Sequence, residues 1–268
     1  MRKRKYLIGA TLALVASVAV AAVAQATIDN QTLIVSVTAK KQDKKVKGPA
    51  DINITVDNAF TPPQSAAQTD QLTNVDIDKD FAITPGKLPT CNATSLAGTT
   101  TDQANAACGA AKIGSGAATL CSAAGGCAAT PGGGVQGVVT AFNGQPSGGR
   151  PAIILHARFG PPANTTTVLT GTFQPSPLGN PYGQRLVVQV PDTALTGLRL
   201  THFQTAISRL VSVKANKKKH KPAKYFVSAK CSHKSWSFHS ESNFRAGGGQ
   251  RSATTTVACT QKKTKKKK

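Results

Sequence analysis

The stretch Val75-Asp76-Ile77-Asp78-Lys79-Asp80-Phe81-Ala82-Ile83 sets apolar side chains at 75, 77, 81 and 83 and carboxylates at 76, 78 and 80. A period of two marks a strand, because successive side chains leave opposite faces. Carboxylates at alternate positions also suit a calcium loop. Here Val75, Ile77 and Phe81 interleave, which gives the segment an apolar face that an ion-wrapping loop does not need. Lys87 stands where such a loop requires a bidentate glutamate. The stretch therefore reads as a strand whose aspartates form a solvated face that keeps a sheet edge soluble.

The same period recurs on both sides of it. Leu33, Val35 and Val37 share one face, as do Ile52, Ile54 and Val56. Ile153, Leu155, Ala157 and Phe159 oppose Ile154, His156 and Arg158. Leu169 to Phe173, Leu186 to Val190, Leu198 onward, Tyr225 to Ala229, Trp236-Ser237-Phe238 and Val257 to Cys259 continue the series. Pro62-Pro63, Pro85-Gly86, Pro161-Pro162, Pro175 to Pro181 and Pro191-Asp192 punctuate it. Many short strands with Pro/Gly turns predict an all-β fold, an antiparallel β-sandwich of about ten to twelve strands. Residues 27–260 form this domain, with two packed sub-sandwiches as an alternative, divided near Gly132 or Pro191. One segment differs. Cys91 to Gly134 is rich in Ala, Gly, Ser and Thr, and Thr101 to Lys112 reads as a short helix with Asp102 near its start. It is expected to be an Ala/Gly-rich insertion stapled by disulfides.

Composition narrows the class further. The 268 residues carry 33 Lys+Arg against 11 Asp+Glu, a formal net charge of +22, and Glu241 is the one glutamate. Coiled coils and helical bundles are rich in Glu, so they are excluded. A hydrophobic content of 40% is enough to bury a core, which excludes a wholly disordered chain.

The N-terminus reads as an address. Arg2 to Lys5 are basic, Leu7 to Val23 is apolar, and Ala24-Gln25-Ala26 sets small residues at the positions a signal peptidase reads. Residues 1–26 are thus expected to be a signal peptide cleaved after Ala26, with Ala24 the second small residue. No later run is long and apolar enough to span a bilayer. Export implies an oxidising space. Proximity then pairs Cys91 with Cys108, Cys121 with Cys127 and Cys231 with Cys259, among the 15 connectivities that six cysteines allow.

Several short motifs are ordered along the chain. Leu88-Pro89-Thr90-Cys91 is followed by Cys108, Lys112-Ile113-Gly114-Ser115-Gly116-Ala117 and Ala141-Phe142-Asn143-Gly144. Toward the C-terminus come Cys231, Trp236-Ser237-Phe238, Gly247 to Gly249, and Thr254 to Cys259. This order resembles an uncharacterised family of secreted β-rich proteins of soil actinobacteria. The resemblance covers most of the chain beyond residue 26, with the Cys121–Cys127 loop as a departure. It implies a secreted β-rich fold and no established activity.

Motifs for catalysis and cofactors are sparse. Gly114-Ser115-Gly116 lacks the third glycine and the downstream acidic residue of a dinucleotide site. A Ser-His-Asp triad would draw on His156, His202, His233 or His239, yet after residue 102 the acids are only Asp192 and Glu241. His239 and Glu241 are two apart and would share a strand face, which makes two zinc ligands with no third nearby. No catalytic residue, metal or cofactor is expected.

Charge is the strongest remaining signal. Residues 27–102 hold seven lysines and nine aspartates, whereas residues 103–268 hold 22 Lys+Arg and two acids. Lys40, Lys41, Lys44, Lys45 and Lys47 form one cluster. Lys214, Lys217, Lys218, Lys219, Lys221 and Lys224 form a second, and Lys262, Lys263, Lys265, Lys266, Lys267 and Lys268 a third. Residues 261–268 are expected to be a disordered tail. Lysine is a hydrated point charge, and bidentate phosphate reading favours Arg. No aromatic side chain interleaves the clusters to stack bases. The expected partners are anionic wall polymers or lipid headgroups held by diffuse attraction, with no sequence-specific nucleic acid. The function expected is that of a secreted, non-catalytic extracellular or cell-envelope protein. A polysaccharide hydrolase and a structural module for protein–protein contact are the alternatives.

Overall fold

The computed structural model describes residues 28–39, 43–60, 70–85, 88–122, 134–190, 198–208, 210–211, 224–245 and 249–261. Strands dominate it: β1 (Ile28–Ala39), β2 (Gly48–Phe60), β3 (Asp70–Asp78), β4 (Phe81–Ile83), β5 (Lys112–Ser122), β6 (Val135–Ser147), β7 (Arg150–Phe159), β8 (Thr166–Pro175), β9 (Tyr182–Gln189), β10 (Leu198–Ile207), β11 (Leu210–Val211), β12 (Lys224–Tyr225), β13 (Val227–Ala229), β14 (Ser235–Phe244) and β15 (Gly249–Ala258). One helix, α1 (Thr101–Cys108), precedes β5. The all-β class expected from the alternation is what the structure shows. Among the described residues the strands number fifteen where ten to twelve were expected, and the surplus is in the short pieces β4, β11, β12 and β13. Segments of two or three residues are too short to display a period.

Thirteen strands form one sheet, in the order β15-β14-β3-β9-β8-β7-β6-β5-β10-β2-β13-β4, with β1 also paired to β2. The thirteen residues of β2 serve three neighbours. β1 runs antiparallel along one edge, while β10 takes Ile52 to Asp57 and β13 takes Gly48 and Pro49 on the other. The sheet curls until β1 lies beside β15. Inward-facing side chains from both ends of the curl then meet. Leu33, Val35, Ile52, Ile54, Val75, Ile77, Leu155, Leu186, Trp236 and Phe238 are buried in one continuous core. Phe81 packs edge-on against Trp236 and Phe238, with both pairs of ring centroids 5.4 Å apart. Each large apolar side chain buried there contributes about 1.5–3 kcal/mol.

The opposite face of β6 and β7 is also dry, because the stapled insertion covers it. Leu96, Ala104, Cys108, Phe142 and Ile154 pack together there. Cys91–Cys108 ties the two ends of that cover, and Cys231–Cys259 ties the start of β14 to the end of β15. Cys121 is also disulfide-bonded, while Cys127 lies outside the described residues. Asn143 donates from Nδ2 to the carbonyls of Pro85, Leu88 and Pro89 at 3.1–3.4 Å, which fixes the approach to Cys91. Thr100 caps α1, accepting from Gln103 N at 3.3 Å while Gln103 Oε1 accepts from Thr100 N at 2.8 Å. This reciprocal box and Asp102 in the first turn favour a start at Thr101. The α-helix stops at Cys108, short of the expected Lys112, and a 3-10 turn at Gly109–Ala111 carries the chain to the start of β5. Gly114 and Gly116 lie within β5, where it crosses close to β10. A Cβ on Gly116 would sit 1.8 Å from the Gln204 carbonyl oxygen. Close backbone approach accounts for these glycines.

The aspartates of residues 75–83 do not form the solvated sheet edge expected of them. The alternation is real, but β3 lies between β14 and β9 in the sheet interior, not at an edge. Asp76, Asp78 and Asp80 are buried, with 0%, 4% and 1% of their surface exposed. The chain turns at Lys79-Asp80, so Phe81 to Ile83 belongs to a separate strand paired with β13. The aspartates tolerate burial because each meets its own donors. Among the described residues, no helix is long and apolar enough to cross a membrane.

Candidate functional site

Register assembles the densest polar cluster. In the sheet, Asp76 of β3 stands opposite Arg185 of β9 and opposite His239 of β14. Arg185 donates to both Asp76 oxygens at 2.8 Å, the bidentate fork of a guanidinium on a carboxylate. Ser176 Oγ donates to Asp76 Oδ1 at 2.7 Å, and His239 Nδ1 lies 3.0 Å from Oδ2. Two residues further along the same face, Glu241 accepts from Asn74 Nδ2 at 3.0 Å and lies 3.8 Å from Arg185 Nη1. The Tyr182 ring leans toward His239, with centroids 6.1 Å apart. Burial alone would raise the Asp76 carboxyl. The hydrogen bonds from Arg185, Ser176 and His239 outweigh it and hold the group below its usual range.

His239 and Glu241 do share a face, as alternation requires, but the guanidinium of Arg185 stands between Asp76 and Glu241. It neutralises both carboxylates where a metal ion would have to bind. Among the described residues, no three His, Cys, Asp or Glu side chains are grouped to hold a metal. Arg185 was not singled out from sequence. Nothing local links position 185 to position 76, and only strand pairing does.

The other two aspartates of the stretch brace the far end of the curl. Asp78 accepts from the backbone of Asp80 at 2.8 Å and of Ser237 at 2.9 Å, while burial raises its carboxyl. Asp80 accepts from Ser232 N and Oγ at 2.7 Å and lies 3.7 Å from Lys230 Nζ. Lys47 donates to the Phe81 carbonyl at 2.7 Å. Partial burial, then the neighbouring Lys230 charge, lowers its pKa. These carboxylates point at separate partners and do not converge as a calcium cage does.

The remaining histidines occupy different neighbourhoods. His156 is buried beneath the insertion, its Nε2 3.1 Å from Thr99 Oγ1, and burial lowers its pKa. His202 Nδ1 lies 2.6 Å from Asp57 Oδ1 across β10 and β2. His233 is exposed beside Ser232. Asp192 lies outside the described residues.

No family model matches this chain, and neither a curated protein nor a solved structure does.

Inside the curl, a polar seam joins strands remote in sequence. Gln31 Nε2 donates to Asn58 Oδ1 at 3.0 Å and to Ser242 Oγ at 2.8 Å, and Ser240 Oγ donates to Gln31 Oε1 at 3.0 Å. Asp70, at the start of β3, is 2% exposed, and its Oδ1 has no hydrogen-bond partner. Burial pushes its carboxyl up to about 7 against the pull of the Arg245 charge. It borders a narrow apolar cavity of about 60 Å³.

Of the lysines singled out from sequence, Lys44 and Lys45 are exposed on the β1–β2 connection, and Lys47 is drawn toward β4. The backbone of Lys224 begins β12. Lys40, Lys41, Lys214, Lys217, Lys218, Lys219, Lys221, Lys262, Lys263 and Lys265 to Lys268 lie outside the described residues, as do Ala24 and Ala26.

Proposed function

We propose that this is a secreted, non-catalytic extracellular or envelope protein retained on anionic polymers by its lysine-rich segments. One observation carries the reading: the fold internalises its negative charge. Of 11 acids, Asp70, Asp76, Asp78 and Asp80 are buried. Glu241 and Asp57 lie beside Arg185 and His202. Among the described residues the four buried acids outnumber the two buried bases, Arg185 and Arg199, so burial leaves the exposed surface more cationic than the excess of 29 Lys+Arg over 11 acids in residues 27–268. Such a surface attracts polyanions over a Debye length and releases them as salt rises. Two disulfides among the described residues fit an oxidising compartment. Large exposed apolar side chains are scattered over separate elements, at Ile34, Val46, Val138 and Leu178.

Retention of the purified chain on immobilised polyphosphate across a salt series tests this. Release at rising salt is expected, earlier for Lys44→Gln/Lys45→Gln and for a chain lacking residues 262–268. Absence of retention, or retention indifferent to salt, refutes it.

A further inference from the structure

The outward face of the sheet carries a row of amide side chains apart from the lysine clusters. Gln189 of β9 stands opposite Leu72 of β3, Leu72 opposite Asn243 of β14, and Asn243 opposite Gln250 of β15. This row floors an open depression of about 910 Å³. A second depression of about 410 Å³ adjoins it, bounded by Arg150, Thr170 and Thr172 and again by Gln189. Gln189, Gln250, Thr170 and Arg150 are exposed. Five interstrand steps of about 4.8 Å separate β7 from β15, so the two depressions together span roughly 24 Å.

The chemistry of the lining is selective. Among the described residues, no carboxylate lines either depression. The side-chain amides of Gln189, Asn243 and Gln250 each offer donors and an acceptor, and the threonine hydroxyls do the same. A hydroxyl group on a ligand is likewise both donor and acceptor, so this lining suits a polyhydroxylated chain. Leu72 and Val187 supply apolar floor for the carbon face of such a ligand. Arg150 places a permanent positive charge at one end of the groove. Glu241 and Asp76 lie further along the same face, beside Arg185.

We infer that this groove binds an extended anionic polysaccharide, with its hydroxyls on the Gln, Asn and Thr side chains and one of its carboxylates at Arg150. The inference rests on the polyanion reading and deepens it by giving the polymer class and a folded site. The test titrates the full chain with polygalacturonate and with polyphosphate, which has charge but no sugar hydroxyls. Gln189→Ala and Arg150→Ala are each expected to weaken polygalacturonate binding roughly tenfold, the loss of one good hydrogen bond. Gln189→Ala should leave polyphosphate binding unchanged. Both side chains are exposed, so melting temperatures should not move. Gln189→Glu keeps the shape and should weaken polygalacturonate binding by repulsion. If neither groove variant alters polygalacturonate binding while Lys44→Gln/Lys45→Gln weakens both polymers, the groove is refuted and the polyanion reading stands. If the unsubstituted chain holds neither polymer, both are refuted.

Discussion

Asp70→Asn should stabilise this protein in mildly alkaline solution and change little in acid. The Asp70 carboxyl is buried, with Arg245 as its nearby positive charge, and is raised from 3.8 to about 7. A carboxyl raised on folding favours the protonated native state. Its stabilising contribution is complete below pH 3.8, is lost progressively as pH rises, and is gone above about pH 7. At about 1.4 kcal/mol per pKa unit, the cost of keeping the carboxylate buried reaches roughly 4 kcal/mol at pH 8. Asparagine is nearly isosteric and never ionises, so it avoids that cost. Urea unfolding, followed by the fluorescence of the buried Trp236, gives both stabilities from pH 4 to 8. The variant should match the parent near pH 4 and exceed it by several kcal/mol at pH 8, with an unchanged m-value. Arg245→Gln should raise the midpoint of the transition, because Arg245 pulls the Asp70 pKa down. A difference between parent and Asp70→Asn that stays flat within about 1 kcal/mol across this range would refute the reasoning.

Other substitutions test the scaffold. Arg185→Met strands the buried Asp76 carboxylate and should cost about 3–5 kcal/mol in urea unfolding, with Asp76→Asn recovering part of it. Because Asp76 is held below its usual range, its contribution is present above pH 3.8 and is lost on acidification, opposite to Asp70. The Arg185→Met variant should therefore be less sensitive to acid than the parent. Replacing Cys231 and Cys259 by alanine opens a link across 28 residues and should cost about 3–4 kcal/mol, read by calorimetry. Gly116→Ala drives a Cβ into the Gln204 carbonyl and should lower stability by about 2 kcal/mol or more. A melting temperature equal to that of the parent would show that β5 and β10 can separate at no cost.

Much of the strand content was legible because alternation is a local property. Leu33, Val35, Ile52, Ile54, Val75 and Ile77 face the core as their spacing requires. Two of the proximity pairings, Cys91–Cys108 and Cys231–Cys259, are present for a similar reason: short separations make closure inexpensive. The aspartates of β3 show the limit. Alternation sorts Asp76 and Asp78 onto the face opposite Val75 and Ile77, but it does not say what covers that face. Arg185 is 109 residues away in the chain, and its guanidinium converts an expected solvated edge into a buried ion pair. The Gln189, Asn243 and Gln250 row was unreadable in the same way, since its members come from three strands.

The sequence by itself determined the strand-forming segments, the place of a short helix with Asp102 near its start and the excess of positive charge, and proximity pointed to two of the cysteine pairings. Only the tertiary structure decided that the sheet curls β1 beside β15, that Asp70 is buried against an apolar cavity and that the carboxylates are neutralised inside. The physical reason lies in the range of each interaction. Side-chain period, capping and loop closure act over a few to a few tens of residues. Register, burial and ion pairing depend on which distant strand becomes the neighbour, and that depends on the energy of the whole packed sheet.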